Sequence, residues 1–330
     1  MKHIALLTTG GTIASQLDEE TGLQIAGTLT GEAIFAASGI DPAKFGLEVS
    51  VHSIFQLPSS SMDFDRNDEM IRRMEMLRAE GADGFVITHG TDAMEETVYY
   101  LDLHWPFDEP VVVTGSQFDP AAHNTDAFHN LLTALRVAAS EASQSRGAQL
   151  VFNDTILNAR YVTKWHTSNI SAFGAPVTGP DGVSDVDRIH YYAPPRPRTV
   201  FPVPAGSHAD KRVEIVPCYV GADPDIITYH AEKGVAGLVI EGFGRGQLTI
   251  ALADKAKAVM ANGLPVVITS ACMNGYVAPI YGYDGSFGDL MANGAIGGGD
   301  FGTKKARILL HSLFMAGIAE PSLIAEAFRQ

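Results

Sequence analysis

Short apolar runs recur along the chain at Ile4–Thr8, Phe85–Thr88, Val111–Thr114, Leu150–Phe152, Val213–Val216, Leu238–Ile240 and Val266–Thr269. Most lack polar alternation, the pattern of strands buried on both faces. Between them the apolar positions shift to helical spacing. Met70, Ile71, Met74 and Leu77 form one such stripe, stopped by Gly81; Leu131, Leu132, Leu135 and Ala138 form another; Ile308, Leu309, Leu313 and Met315 form a third. Strands alternating with helices predict an α/β fold of parallel sheets joined by crossover helices. The rhythm breaks at 192–211, where Pro194, Pro195, Pro197, Pro202 and Pro204 predict an extended linker. The expected organisation is therefore a larger N-terminal domain, 1–191, with a mostly parallel sheet. The Pro-rich linker 192–211 follows, then a smaller parallel-sheet domain, 212–330. A length of 330 residues agrees with two domains.

Composition narrows the function. Hydrophobic residues make up 46% and charged residues 18%, enough apolar material for packed cores and too little charge for disorder. The charge sum, 23 − 38 = −15, argues against a phosphate-binding surface, so no nucleic-acid partner is expected. No apolar run approaches the ~20 residues of a membrane span. Met1-Lys2-His3 and the four apolar residues after it fall short of a signal peptide's apolar region of about 7–15 residues. A cytoplasmic protein is expected. Cys218 and Cys272 lack disulfide-framework or metal-ligand spacing and are predicted to be buried thiols. No metal or cofactor is expected either. In Gly242-Phe243-Gly244-Arg245-Gly246-Gln247 the third glycine comes one residue early for a dinucleotide fingerprint, and Gly302-Thr303-Lys304 reverses the P-loop order. The second segment reads as a turn opening a helix at Thr303.

The chemistry sits at the carboxyl ends of predicted strands, where open α/β sheets place their ligands. Thr8-Thr9-Gly10-Gly11-Thr12 presents Thr12 just past a glycine turn. Thr88-His89-Gly90-Thr91-Asp92 leads to Glu95, and the spacing of Asp92 and Glu95 fits a capping box. Thr163-Lys164 adds a cation. A threonine hydroxyl is a weak nucleophile until a base or cation activates it, and two threonines, a lysine and a carboxylate supply those parts. No G-x-S-x-G elbow is present.

These motifs resemble those of the bacterial-type L-asparaginases, amidohydrolases with a larger and a smaller α/β domain. The resemblance covers essentially the whole chain. It rests on Thr9-Gly10-Gly11-Thr12-Ile13-Ala14, His89-Gly90-Thr91-Asp92 and Thr163-Lys164, with Thr114-Gly115-Ser116-Gln117, Asp126 and Asn130 in support. The short N-terminus and the Thr-Gly-Ser-Gln run resemble the cytosolic subfamily.

The resemblance implies hydrolysis of L-asparagine to L-aspartate and ammonia through an acyl-threonine intermediate, without a cofactor. It makes Thr12 the nucleophile and Thr91, Asp92 and Lys164 the second activating group, with Asp92 also on the substrate α-ammonium. Ser59 and Ser60 would hold the α-carboxylate. Gly11 and Thr91 N–H groups would form an oxyanion hole, Gly90 would be among the substrate-binding residues, and the Ser116 carbonyl would receive the departing amide nitrogen. Gln247, reached from a neighbouring subunit, would accept a hydrogen bond from the α-ammonium. The implied assembly is a homo-oligomer, a tetramer of intimate dimers. Leu23 stands where the family usually has a loop tyrosine, and Tyr281-Gly282-Tyr283-Asp284 offers no clear match to the family's second acid. The alternatives are a glutaminase-asparaginase of mixed specificity and a catalytically weakened amino-acid-binding protein. A tRNA-dependent amidotransferase subunit is disfavoured by the acidic charge.

Overall fold

Lys2–Gly10 is the strand from which the first sheet is organised. It pairs in parallel with Leu47–Leu57 on one side and Gly84–Thr88 on the other; Val111–Thr114 and Ala148–Phe152 continue the parallel run. The computed structural model describes residues 1–18, 20–186 and 188–329. Numbering those five parallel strands along the chain, their spatial order is 2-1-3-4-5. Three short strands, Thr155–Asn158, Gly182–Ser184 and Ile189–Tyr191, extend this sheet antiparallel at its far edge. They hold three or four residues each, too few to carry a readable period.

Alternation along each strand divides the apolar side chains between two faces. Ile4, Leu6, Val86, Val112 and Val151 pack with Ile34 and with Leu131, Ala134 and Leu135 of the helix Ala127–Ala139. On the other face Phe85 meets Trp105, just past the helix Met94–His104, edge to face with ring centroids 5.1 Å apart. Helices on both faces leave the central strands fully buried, hence their uninterrupted apolar sequence. Leu47–Leu57 is the sheet edge and half-exposed; Leu47, Val49 and Val51 alternate there with Glu48, Ser50 and His52. It therefore carries no continuous apolar run.

The chain divides into two compact units, Met1–Val203 and Pro204–Gln330. Residues 192–207 contain no helix or strand. The earlier part of this Pro-rich segment packs on the first unit: Arg198 pairs with Asp102 at 3.1 Å, and the Phe201 N–H donates to the Leu103 carbonyl. In the second unit Val213–Pro217, Gly237–Gly242, Val266–Ser270 and Ile296–Gly297 form a four-stranded parallel sheet in sequence order. Its core joins Ile240, Ile268 and Leu252 with Phe287. The helix Thr303–Met315 starts at Thr303 and packs on three of these strands. Cys218 is buried as expected, but Cys272 is exposed, because it lies two residues past the end of its strand.

Candidate active site

In a 2-1-3-4-5 sheet the chain leaves the first and third strands in opposite directions, opening a crevice beyond their carboxyl ends. Here that crevice lies past Lys2–Gly10 and Gly84–Thr88. Thr12 follows the first strand and Thr91 the second. Ser59 and Ser60 follow Leu57 on the one flank, and Ser116 follows Thr114 on the other. Topology alone brings four loops together.

Glycines let these loops touch. Gly11 has φ +80°, and a Cβ there would overlap the Gly90 backbone. A Cβ on Gly90 would in turn lie 2.7 Å from the Ser59 hydroxyl oxygen. Neither position tolerates a side chain unless a neighbouring loop moves. This contact brings the turn that leads to Thr12 against the loop that leads to Thr91. The Thr12 side chain is half-buried, and its hydroxyl has no hydrogen-bond partner among the described residues.

Lys164 lies in a two-residue strand, Thr163–Lys164, paired antiparallel with Phe173–Gly174. Its Nζ donates to Thr91 Oγ1 at 2.8 Å and to Asp92 Oδ1 at 2.8 Å. Thr91 is buried, Lys164 is 16% exposed along its side chain, and Asp92 is 73% exposed. A cation on a hydroxyl oxygen lowers the cost of removing that hydroxyl's proton, while the open carboxylate leaves an anionic face toward solvent.

Two sequence expectations are corrected. Asp92 and Glu95 do not form a capping box: the helix begins at Met94, with Ala93 at its N-cap and no side-chain cap. Both carboxylates bind Lys164 instead, Asp92 at Nζ and Glu95 at the backbone N–H (2.9 Å). Ser59 supplies the acceptor at this helix entrance, its Oγ receiving the N–H groups of Asp92 (3.1 Å) and Ala93 (3.4 Å). The second correction concerns the Gly11 N–H. It donates to the Leu57 carbonyl at 3.2 Å, closing the bulge between the first two strands, so it is engaged within the protein. The neighbouring Thr12 and Thr91 N–H groups have no backbone acceptor among the described residues.

The Ser116 loop is held from below. Asp126 accepts the Gln117 and Phe118 N–H groups, and Asn130 donates to the Gly115 carbonyl at 2.9 Å. Ser116 is buried, with its hydroxyl on the Phe118 carbonyl; Ser60 is exposed on the turn Ser59–Ser61. Gln247 belongs to the second unit. Its Oε1 accepts the Phe287 N–H at 2.8 Å, at the start of the helix Phe287–Ala292, and its Nε2 is buried without a partner among the described residues. Leu23 is exposed beside a short ribbon, Gln16–Leu17 with Gln24–Ile25. Among the described residues, no cluster of three or more His, Cys, Asp or Glu could hold a metal ion, and no helix is long and apolar enough to cross a membrane.

His89 is the residue whose part in this arrangement the sequence reading left unassigned. Its Nδ1–H donates to the Gly90 carbonyl at 2.6 Å, and its Nε2 accepts from Thr97 at 3.2 Å. The ring is fully buried, and burial pushes its pKa down to about 4. The unfolded chain binds this proton near pH 6.5, so His89's stabilisation is complete above pH 6.5 and is lost as pH falls toward 4. A shift of that size corresponds to about 3 kcal/mol. Urea midpoints of wild type should therefore fall more steeply between pH 6.5 and 4.5 than those of His89→Gln. Equal slopes would mean that the imidazole is not held neutral.

A threonine hydroxyl and a carboxylate sharing one lysine, at the switch point of a doubly wound sheet, suit the chemistry of a hydrolytic enzyme. Comparison with known proteins specifies which. The model "Asparaginase, N-terminal" matches residues 3–197, and "Glutaminase/Asparaginase C-terminal domain" matches residues 212–328. The chain is 38% identical to an L-asparaginase of Bacillus licheniformis over 314 residues, 94% of each chain. It is 35% identical to a probable L-asparaginase of Deinococcus radiodurans, covering 98% of this chain and 96% of that one. A crystal structure of a probable cytoplasmic L-asparaginase from Campylobacter jejuni superposes with a TM-score of 0.85 at 29% identity, over 100% of both chains. The chain belongs to the asparaginase family of amidohydrolases.

Proposed function

We propose that this chain hydrolyses the side-chain amide of L-asparagine to L-aspartate and ammonia through an acyl-threonine intermediate. The observation that carries the reading is the Lys164 ammonium shared between Thr91 and Asp92, with the turn that leads to Thr12 brought against their loop by the Gly11–Gly90 contact. Thr12 Oγ1 attacks the amide carbon and gives up its proton. The tetrahedral oxyanion takes hydrogen bonds from the backbone N–H groups of Thr12 and Thr91, fixed dipoles that need no reorganisation. The C–N bond breaks, the nitrogen leaves as ammonia carrying the proton, and the Ser116 carbonyl receives it. Water then attacks the ester with Thr91 and Lys164 as proton relay. The aspartate carboxyl is released and Thr12 regains its hydrogen.

Asp92, the exposed anion, suits the substrate α-ammonium. Ser59 and Ser60 suit the α-carboxylate, though the Ser59 oxygen already holds the helix entrance and would act toward substrate as a donor. Gln247 is assigned to a neighbour's site; a carbonyl oxygen has two lone pairs, so Oε1 can hold Phe287 and accept from an ammonium together. The proposal includes a homo-oligomer, cytoplasmic residence and the division 1–191, 192–211 and 212–330.

The test is ammonia release from asparagine and from glutamine by the purified chain, side by side over a concentration range. A higher kcat/KM for asparagine is expected. Comparable values would replace the reading with a glutaminase-asparaginase of mixed specificity. Release from neither, by folded protein, would leave an amino-acid-binding protein.

A further inference from the structure

We infer that Glu95 is a positioning residue that sets where the Lys164 ammonium sits. Three residues within five positions of one another grip Lys164 from both ends. Thr91 and Asp92 take its Nζ at 2.8 Å each, and Glu95 takes its backbone N–H at 2.9 Å. Glu95 occupies the first turn of the helix Met94–His104 and is 6% exposed. A buried carboxyl group is costly unless donors satisfy it, and here one donor comes from a strand 69 residues away.

That strand needs such a tie. Thr163–Lys164 has two residues, pairs with the equally short Phe173–Gly174, and contributes half-buried side chains. Within the ribbon the Trp165 N–H donates to the Ala172 carbonyl, its indole N–H to the Ser171 carbonyl, and its ring lies where a Gly174 Cβ would stand. Toward the sheet, Phe173 packs on Phe152 with ring centroids 5.0 Å apart and Asn153 donates to the Ser171 hydroxyl at 2.8 Å. These contacts hold the ribbon together and on the sheet, but none of them reaches the segment that carries Thr91 and Asp92. The Glu95 bond does, being made from that same segment. The lysine and the hydroxyl it serves are thereby referenced to one helix end.

The inference rests on the reading that Lys164 acts in turnover. Geometry, not charge, is what Glu95 supplies, so reach should matter more than ionisation. Glu95→Asp keeps the charge but shortens the arm by a methylene; Glu95→Gln keeps the arm and an acceptor oxygen but removes the charge. Misplacing a catalytic group by about 1 Å can cost about 10²-fold. Glu95→Asp should therefore lower kcat for asparagine about a hundredfold with KM changed by less than about threefold. Glu95→Gln should stay within about tenfold of wild type. Hydrogen exchange at the Lys164 amide should quicken in Glu95→Asp and not in Glu95→Gln, with both variants melting near wild type. Glu95→Gln as impaired as Glu95→Asp, or Glu95→Asp unimpaired, would overturn the inference. If Lys164→Met were itself fully active, the underlying reading would fail first, so the two failures can be told apart.

Discussion

Thr12→Ala is expected to abolish asparagine hydrolysis, by at least about 10⁴-fold in kcat, while leaving the fold intact. The hydroxyl is half-buried and free of protein partners among the described residues, so its removal breaks no internal bond. The neighbouring glycine contact that shapes the turn survives, because it is made by Gly11 and Gly90 backbone. Loss of a nucleophile costs far more than loss of one oxyanion donor, which is itself worth about 10²–10³. Substrate binding should persist, since Asp92, Ser59 and Ser60 are untouched; calorimetry with asparagine would then give a dissociation constant near the wild-type KM. Wild-type ammonia release from a folded Thr12→Ala protein would remove Thr12 from the chemistry.

Lys164→Met is expected to reduce kcat by about 10²–10⁴, the range of a positioned proton-transfer group. Methionine fills a similar volume but cannot donate to Thr91 or pair with Asp92. Stability should change by less than about 1 kcal/mol, because Asp92 is mostly solvent-exposed and such pairs contribute little. Near-normal turnover would remove Lys164 from the chemistry. A fall in melting temperature that tracks the lost activity would make it a structural one.

How far the sequence could be read follows from where each signal is stored. Ile4–Thr8, Phe85–Thr88 and Val111–Thr114 were legible because strands covered on both faces must be apolar throughout. Leu47–Leu57 was not, because an edge strand mixes Glu48, Ser50 and His52 with its apolar face. Thr12, Thr91, Asp92 and Lys164 stood out as candidates by type, by strand-end placement and by a family resemblance, and the fold brings Lys164 onto Thr91 and Asp92. Glu95 was visible but misread: spacing i, i+3 from Asp92 is also that of a capping box, and the Lys164 N–H that it accepts lies far along the chain. The Gly11 N–H shows the same limit. Its acceptor, the Leu57 carbonyl, exists only once a strand the pattern did not reveal is in place. Asp126 and Asn130 entered through resemblance, and only the folded loop shows that they hold Gln117 and Gly115.

One measurement bears most directly on the claim that Thr12 carries the acyl group. Wild-type protein is mixed with L-asparagine, quenched in acid during the first turnovers, digested, and examined by mass spectrometry. The expected result is an aspartyl ester on the peptide containing Thr12, absent from the same peptide of Thr12→Ala. An ester on the peptide containing Thr91, or undiminished turnover and ester formation in Thr12→Ala, would contradict it.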